Sequence, residues 1–355
     1  MPENTTPSLI ARKGEFQEAL LGWYRRNARD LPWRRSPSLY GTVVSEFMLQ
    51  QTRVTTVLPF FRRWMEALPD FAALAASREE RVLKLWEGLG YYSRSRNLRR
   101  LAQALVALPG IPRSPEAWRG LPGVGPYTAA AITSISFGEA AACVDGNVVR
   151  ILSRLTADPS EFRDGTSAAK TLTPLASSLM PAASPGDHNQ AMMELGATVC
   201  LRRKPLCLLC PVRAFCSAQE SDPEAFPRIA PKTMERLSVV RAWCVRGKAL
   251  LLHRGGAGAR RLAGLHELPT AGQLGLAASA VRRLPLIAKR TRSITRFRIT
   301  ESIHLVRLKG GVPLPGSLAW IPLTRLDSVS LSGPHRRWVG EILASKAAGN
   351  AGESG

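Results

Sequence analysis

Four cysteines fall within seventeen residues: Cys200, Cys207, Cys210 and Cys216 stand in the spacing C-x6-C-x2-C-x5-C. No other feature restricts the fold so tightly, because one loop must bring four thiols together. Disulfides explain the quartet poorly. The start, Met1-Pro-Glu-Asn-Thr-Thr, has no basic stretch followed by an apolar one, so no secretory signal is evident. Four thiols so close together suit a metal centre. Zinc ribbons pair two short Cys-x-x-Cys knuckles, and only Cys207 and Cys210 make one here. The uneven spacing fits a loop around an iron–sulfur cubane better, with zinc as the alternative. Arg202, Arg203, Lys204 and Arg213 lie in or beside the loop. They form either a phosphate-binding surface or counter-charges to the thiolates. Cys143 and Cys244 are isolated and read as ordinary buried thiols.

Charge points the same way. The 355 residues carry a formal net charge of +22, and 40 of the 49 basic residues are Arg. So basic a chain suits a polyanionic partner, or comes from an Arg-rich proteome. Residues 1–236 carry a net +8 and residues 237–355 a net +14. Between them lies Ser221-Asp-Pro-Glu-Ala-Phe-Pro-Arg-Ile-Ala-Pro-Lys, whose three prolines read as a linker. No uncharged apolar run reaches the ~18 residues that span a bilayer.

Ahead of the linker, Phe16, Ala19, Leu20 and Trp23 repeat at helical spacing, as do Val54, Val57, Leu58, Phe61, Trp64, Met65 and Leu68. Leu98, Leu101 and Leu105 predict another helix, and Thr128 to Phe137 a further one. Behind the linker, Val239–Val245 and Ala249–Leu252 around Arg246-Gly-Lys predict strand–turn–strand, and Ser302–Leu308 alternates like a strand. The expectation is an all-helical front, a mixed α/β back and an unstructured tail over 346–355.

Leu121-Pro-Gly-Val-Gly-Pro-Tyr-Thr-Ala-Ala places a tight turn directly before a helix. Gly123, Val124 and Gly125 let backbone amides approach a phosphate without reading sequence. Two carboxylates stand out. Asp145, in Val144-Asp-Gly-Asn, reads first as a helix cap. Glu46, in Val43-Val-Ser-Glu-Phe-Met-Leu-Gln-Gln-Thr, borders an apolar stripe, where a Glu is ordinarily solvated. Brought to one pocket, the pair would suit N-glycosidic cleavage, with one acid assisting the leaving base and one carboxylate stabilising an oxocarbenium-like centre.

These motifs occur together and in order with Gly88-Leu-Gly-Tyr-Tyr-Ser-Arg and the four-cysteine loop. From about Asp30 to Cys216 the chain resembles the MutY-type adenine DNA glycosylases of the helix-hairpin-helix, endonuclease III-like superfamily. The resemblance implies a helical catalytic region over 1–221, with a six-helix barrel module about 36–142. An iron–sulfur module about 8–35 plus 143–221 completes it. A linker over 222–236 and a Nudix-like (MutT-like) α/β domain over 237–345 follow. It implies a monomeric cytoplasmic, nucleoid-associated repair enzyme, with no membrane partner. Its substrate would be double-stranded DNA holding adenine opposite 8-oxoguanine or guanine.

Residue roles follow from the same resemblance. Glu46 would protonate adenine and handle the water, and Asp145 would stabilise or attack the sugar cation. Tyr127 and Asn147 would support them. Arg29, Leu31, Trp33 and Gln190 would line the adenine pocket, although Leu31 and Trp33 also read as core. Gln51 and Tyr91 would wedge into the duplex, Gly123, Val124 and Gly125 would hold phosphate, and the four cysteines would ligate a [4Fe-4S] cluster. Lyase-type relatives carry a Lys at the position of Tyr127, and here no Lys occurs between Lys84 and Lys170. A monofunctional glycosylase is expected.

In the back domain, His266 stands where an aromatic is usual, and no Nudix hydrolase box is present. The lesion-reading loop corresponds to Ile294-Thr295-Arg296. Thr295 keeps the hydroxyl, and Arg296, with Arg292 and Arg298, would substitute charge for a missing His. Two other readings remain: a relative of another mismatch specificity, such as T:G, and a non-catalytic DNA-binding protein.

Overall fold

The computed structural model describes residues 9–231, 233–256, 263–294, 296–308 and 314–352. The chain forms two compact units. One comprises Met1–Ala76 with Asn97–Pro231, the other Ser77–Arg96 with Lys232–Gly355.

The first unit is helical, with main helices Lys13–Asn27, Leu39–Leu49, Val54–Ala67, Pro126–Phe137, Gly146–Thr156, Gly165–Ser178 and Pro185–Thr198. The periodic apolar residues are the ones buried: Phe16, Leu20, Val149, Leu152, Ala191 and Leu195 share one core cluster. Helix Leu39–Leu49 differs from an amphipathic surface helix. It is buried continuously from Tyr40 to Met48, which carries Ser45 and Glu46 into the interior. Side-chain caps fix two helix starts. Ser38 Oγ accepts from Gly41 N at 3.0 Å, and Asp164 and Ser167 form a reciprocal capping box.

The proline-rich segment is partly tied down. Strand β1 (Glu161–Phe162) pairs in parallel with β2 (Arg228–Ile229), and Phe226 is buried. The chain therefore stays with the first unit as far as Pro231. Prolines exclude a helix here but permit a short edge pairing.

The second unit is α/β. In one sheet β3 (Glu235–Trp243) lies parallel to β8 (Phe297–Leu305), which lies antiparallel to β7 (Leu286–Ile294). A second sheet joins β4 (Val245–Arg246), β5 (Ala249–Arg254) and β6 (His266–Glu267), with β9 (Leu318–Pro322) on β5. Gly247, at φ +55°, makes the β4–β5 turn. Trp338, Val339 and Ile342 of helix Gly333–Gly352 pack with Ala288 and Ile303 under the first sheet. That helix runs into the stretch expected to lack structure. Ala344, Ala347 and Ala348 carry the highest helix propensity, and neither Gly nor Pro falls between Gly340 and Gly349. Strand β8 begins at Phe297, five residues ahead of the alternation read from Ser302, and β7 gave no strand signal because its inward positions include Arg290 and Arg292.

Arg292 joins a buried ionic cluster, whereas Arg290 pairs with Glu341 nearer the surface. Arg241 lies 2.7 Å from Glu301 and 3.0 Å from Glu267. Arg292 pairs with the same two carboxylates at 2.6 and 3.1 Å. The Leu268 amide donates to His335 Nδ1, so the proton of a neutral His335 sits on Nε2, 3.4 and 3.5 Å from Glu267 and Glu301. Among the described residues no helix is long and apolar enough to cross a membrane.

Candidate active site

A cavity of 1130 Å³ in the first unit brings together residues from five stretches of sequence. Glu46 comes from the buried helix, Tyr127 from the helix behind the Gly-Val-Gly turn, and Asp145 and Asn147 from the next helix start. Arg29, Leu31, Trp33, Gln190, Gln51, Gly123 and Gly125 line the same cavity. Val124 is buried beneath the turn. Leu31 and Trp33 serve both expected uses, since Leu31 is 4% exposed and Trp33 packs edge-on against Phe61.

The turn depends on glycine at position 123. Its φ is +75°, and a Cβ there would lie 2.5 Å from the Asn97 Cβ. Gly125 offers no side-chain cap to the helix that follows, so its first amides remain open to an anion.

Glu46 is 7% exposed. Burial pushes its carboxyl up to about 7. The Asp145 charge adds to this, while a hydrogen bond from Tyr127 and the Arg34 guanidinium oppose it. Asp145 does cap its helix: Oδ1 accepts from Asn147 N at 2.9 Å and Val148 N at 2.8 Å. Its Oδ2 accepts from Asn147 Nδ2 at 3.0 Å. Burial raises this carboxyl too, against the pull of those three bonds and of Arg150. Asp145 thus caps its helix and borders the cavity at once. Burial also raises the Tyr127 hydroxyl far above its ordinary value, and it lies 2.9 Å from Met193 Sδ.

Three supporting residues escaped the sequence reading. Glu194, fully buried, holds Arg29 with two bonds of 2.6 and 2.9 Å and Arg34 with one of 3.0 Å. Arg34 also donates to Gln190 Oε1 at 3.1 Å. Glu194 lies four residues beyond Gln190 on one helix, so the i,i+4 relation was the available signal. Gly196, on the same helix, leaves room for Asn147: a Cβ there would lie 2.6 Å from the Asn147 Cβ.

The four cysteines border a second, small cavity of 30 Å³. Arg154, 2% exposed, points Nη1 at Cys200 Sγ (3.3 Å) and donates to the carbonyls of Leu201, Arg202 and Pro223. Among the described residues no three His, Cys, Asp or Glu side chains converge closely enough to hold a single ion. The residues bordering the small cavity include the four thiols and no His or carboxylate, an all-sulfur donor set that suits an iron–sulfur cluster or zinc.

Tyr91 belongs to the second unit. It is 51% exposed, at φ +47°, with the Arg94 guanidinium over its ring. Gln51, in the first unit, also has a left-handed backbone, at φ +56°. Of the lesion-loop residues, Thr295 lies outside the described residues. Arg296 pairs with Glu235 at 2.9 Å, and Arg292 is committed to the buried carboxylates. Of the three arginines expected to act together at the loop, Arg298 alone keeps its guanidinium free of a carboxylate among the described residues.

Residues 44–172 match the HhH-GPD superfamily base excision DNA repair protein. The chain is 46% identical over 225 residues to the human adenine DNA glycosylase, covering 59% of this chain and 40% of that protein. The Mycolicibacterium smegmatis adenine DNA glycosylase is 38% identical over 196 residues, or 54% of this chain and 66% of that one. A solved thermostable thymine-DNA glycosylase superposes with TM-score 0.52 at 28% identity, over 59% of this chain and 97% of that chain. The helical core, the hairpin and the paired carboxylates place the chain in the helix-hairpin-helix superfamily of base excision DNA repair proteins. Within that superfamily it is a member of the MutY-type family. The chain spans less than half the length of the human, rat and mouse relatives it matches.

Proposed function

We propose that the protein hydrolyses the N-glycosidic bond of adenine mispaired with 8-oxoguanine or guanine in duplex DNA. The observation that carries this reading is the pair of carboxyls in one cavity, with Glu46 at about 7. At neutral pH much of Glu46 holds a proton, which it delivers to the departing adenine ring. Asp145, anchored by its three bonds, presents negative charge to the sugar cation. Tyr127 supplies no amine, so water rather than the protein takes up the sugar carbon. The cavity would receive a base extruded from the stack, at a cost of a few kcal/mol, with Gln51 entering the gap that it leaves.

Cys200, Cys207, Cys210 and Cys216 would hold a [4Fe-4S] cluster, which would order the basic loop around Arg202, Arg203 and Lys204. The second unit is read as a Nudix-like domain that faces the lesion strand. Its mixed sheet and long helix support that reading. The protein acts as a cytoplasmic, nucleoid-associated monomer.

The test is a panel of A:8-oxoguanine, A:G, A:C and T:G duplexes, each with and without alkali. Strand breaks at adenine that need alkali support a monofunctional adenine glycosylase. Cleavage confined to T:G supports the other reading, which the superposition on the thymine enzyme keeps in view.

A further inference from the structure

The exposed face of the β3–β8–β7 sheet carries an arrangement that the catalytic cavity does not explain. Strand register puts Arg236 directly beside Arg298, and Arg298 opposite Ser293. The next row on that face is Ser238, Thr300 and Thr291, and the one after it Val240, Ser302 and Lys289. These rows hold three cations, five hydroxyls and no carboxylate. The buried acid of the sheet, Glu301, belongs to the opposite face, where Arg241 and Arg292 neutralise it. Helix Ala278–Arg282 covers the far end of the face, where Val281 packs against Val240 and Ala242. The Arg236 end stays open as a cavity of 420 Å³ bordered by Arg236, Arg298, Thr291 and Ser293.

Like charges directly opposite each other on neighbouring strands destabilise a sheet. Neither Arg236 nor Arg298 forms an ion pair with a carboxylate among the described residues. A fold that sets two guanidiniums side by side and rings them with hydroxyl donors is complementary to phosphate oxygens. Those oxygens accept from both groups and carry the missing charge. We propose that this face is a second DNA-binding site, which takes the sugar–phosphate backbone of the duplex through Arg236, Arg298, Thr291 and Ser293. The inference rests on duplex DNA being the substrate. A backbone fits better than a lone phosphate, because hydroxyl donors continue into the next row at Ser238, Thr300 and Thr291. The site gives grip without sequence or lesion selectivity.

The test uses the full chain and a short fluorescein-labelled duplex, with and without an A:8-oxoguanine pair, followed by anisotropy across a salt series. Arg236→Ala with Arg298→Ala removes two phosphate contacts. The slope of log affinity against log salt should become shallower by about 1.8, from ~0.9 per phosphate. At 0.1 M salt that corresponds to about 8-fold weaker binding per arginine. Both duplexes should lose equally, and Arg236→Lys with Arg298→Lys should restore the slope. An unchanged slope overturns the proposal. So does an equal loss from Arg307→Ala with Arg325→Ala, which removes the same charge from exposed positions elsewhere in the unit. So does displacement of the duplex from the wild type by AMP at matched phosphate concentration, which would mark a small-anion site. If the wild type releases no adenine but the slope changes as stated, the proposed activity fails and this site stands.

Discussion

Replacing Glu46 by Gln should slow base release by orders of magnitude and stabilise the protein, with the second effect confined to neutral and alkaline pH. The carboxyl sits at about 7 in the fold against an ordinary 4.5. A folded state that holds its proton more tightly than the unfolded chain is favoured at low pH. Glu46 therefore contributes its full stability below about 4.5 and loses it as pH rises through about 7. The difference corresponds to about 3 kcal/mol of stability forgone at pH 8. Glutamine mimics the protonated acid in size and polarity, so Glu46→Gln should recover up to that amount at pH 8 and almost none at pH 4. Paired urea titrations at the two pH values measure it, with the midpoint shifted and its slope unchanged. Loss of the general acid should lower single-turnover base release by about 10²–10⁴-fold, and wild-type activity should decline as pH rises above 7. A variant that is no more stable at pH 8, or a gain of equal size at pH 4, would refute the account of Glu46 as a desolvated acid.

Other outcomes follow from particular contacts. Glu194→Ala leaves Arg29 and Arg34 facing each other without their shared carboxylate. It should destabilise the first unit by about 3–5 kcal/mol in thermal or urea unfolding, as removal of a buried partner does. In the second unit, burial would raise Glu301, but His335, Arg241 and Arg292 pull it down to about 2. Stability from this group is complete above about 4.5 and lost as pH falls towards 2, so Glu301→Gln should flatten the acid limb of the unfolding curve. Borohydride should trap no protein–DNA adduct with the wild type, because Tyr127 offers no amine; a high-yield adduct would contradict the monofunctional reading. Arg154→Ala removes four bonds around the cysteine loop. Visible absorption of the purified protein should drop if that loop holds the cluster, and an unchanged spectrum with full iron content would argue otherwise.

Much of the first unit could be read in the sequence, because its helices obey the 3.6 period and its turns carry Gly and Pro. Glu46 shows where that reading fails. Periodicity gives a helix face, but helix Leu39–Leu49 is buried on every face, and only tertiary packing decides that. Asp145 was ambiguous for the opposite reason: cap and catalytic carboxylate need the same position at a helix start. Glu194 and Arg154 were hidden because a buried ion or hydrogen-bond partner lies 160 or more residues away in one case and 46–69 in the other. Strand β7 was missed because two arginines occupy inward positions that a pattern of apolar residues would fill. They are tolerated there only because Glu267, Glu301 and Glu341 meet them.

If the reading is right, this cavity releases adenine through Glu46. Free base liberated from an A:8-oxoguanine duplex, identified by chromatography after a single turnover, tests it most directly. Adenine should come from the wild type, at least about 10²-fold less from Glu46→Gln, and no thymine from a T:G duplex. Thymine release, or adenine release undiminished in Glu46→Gln, would contradict it.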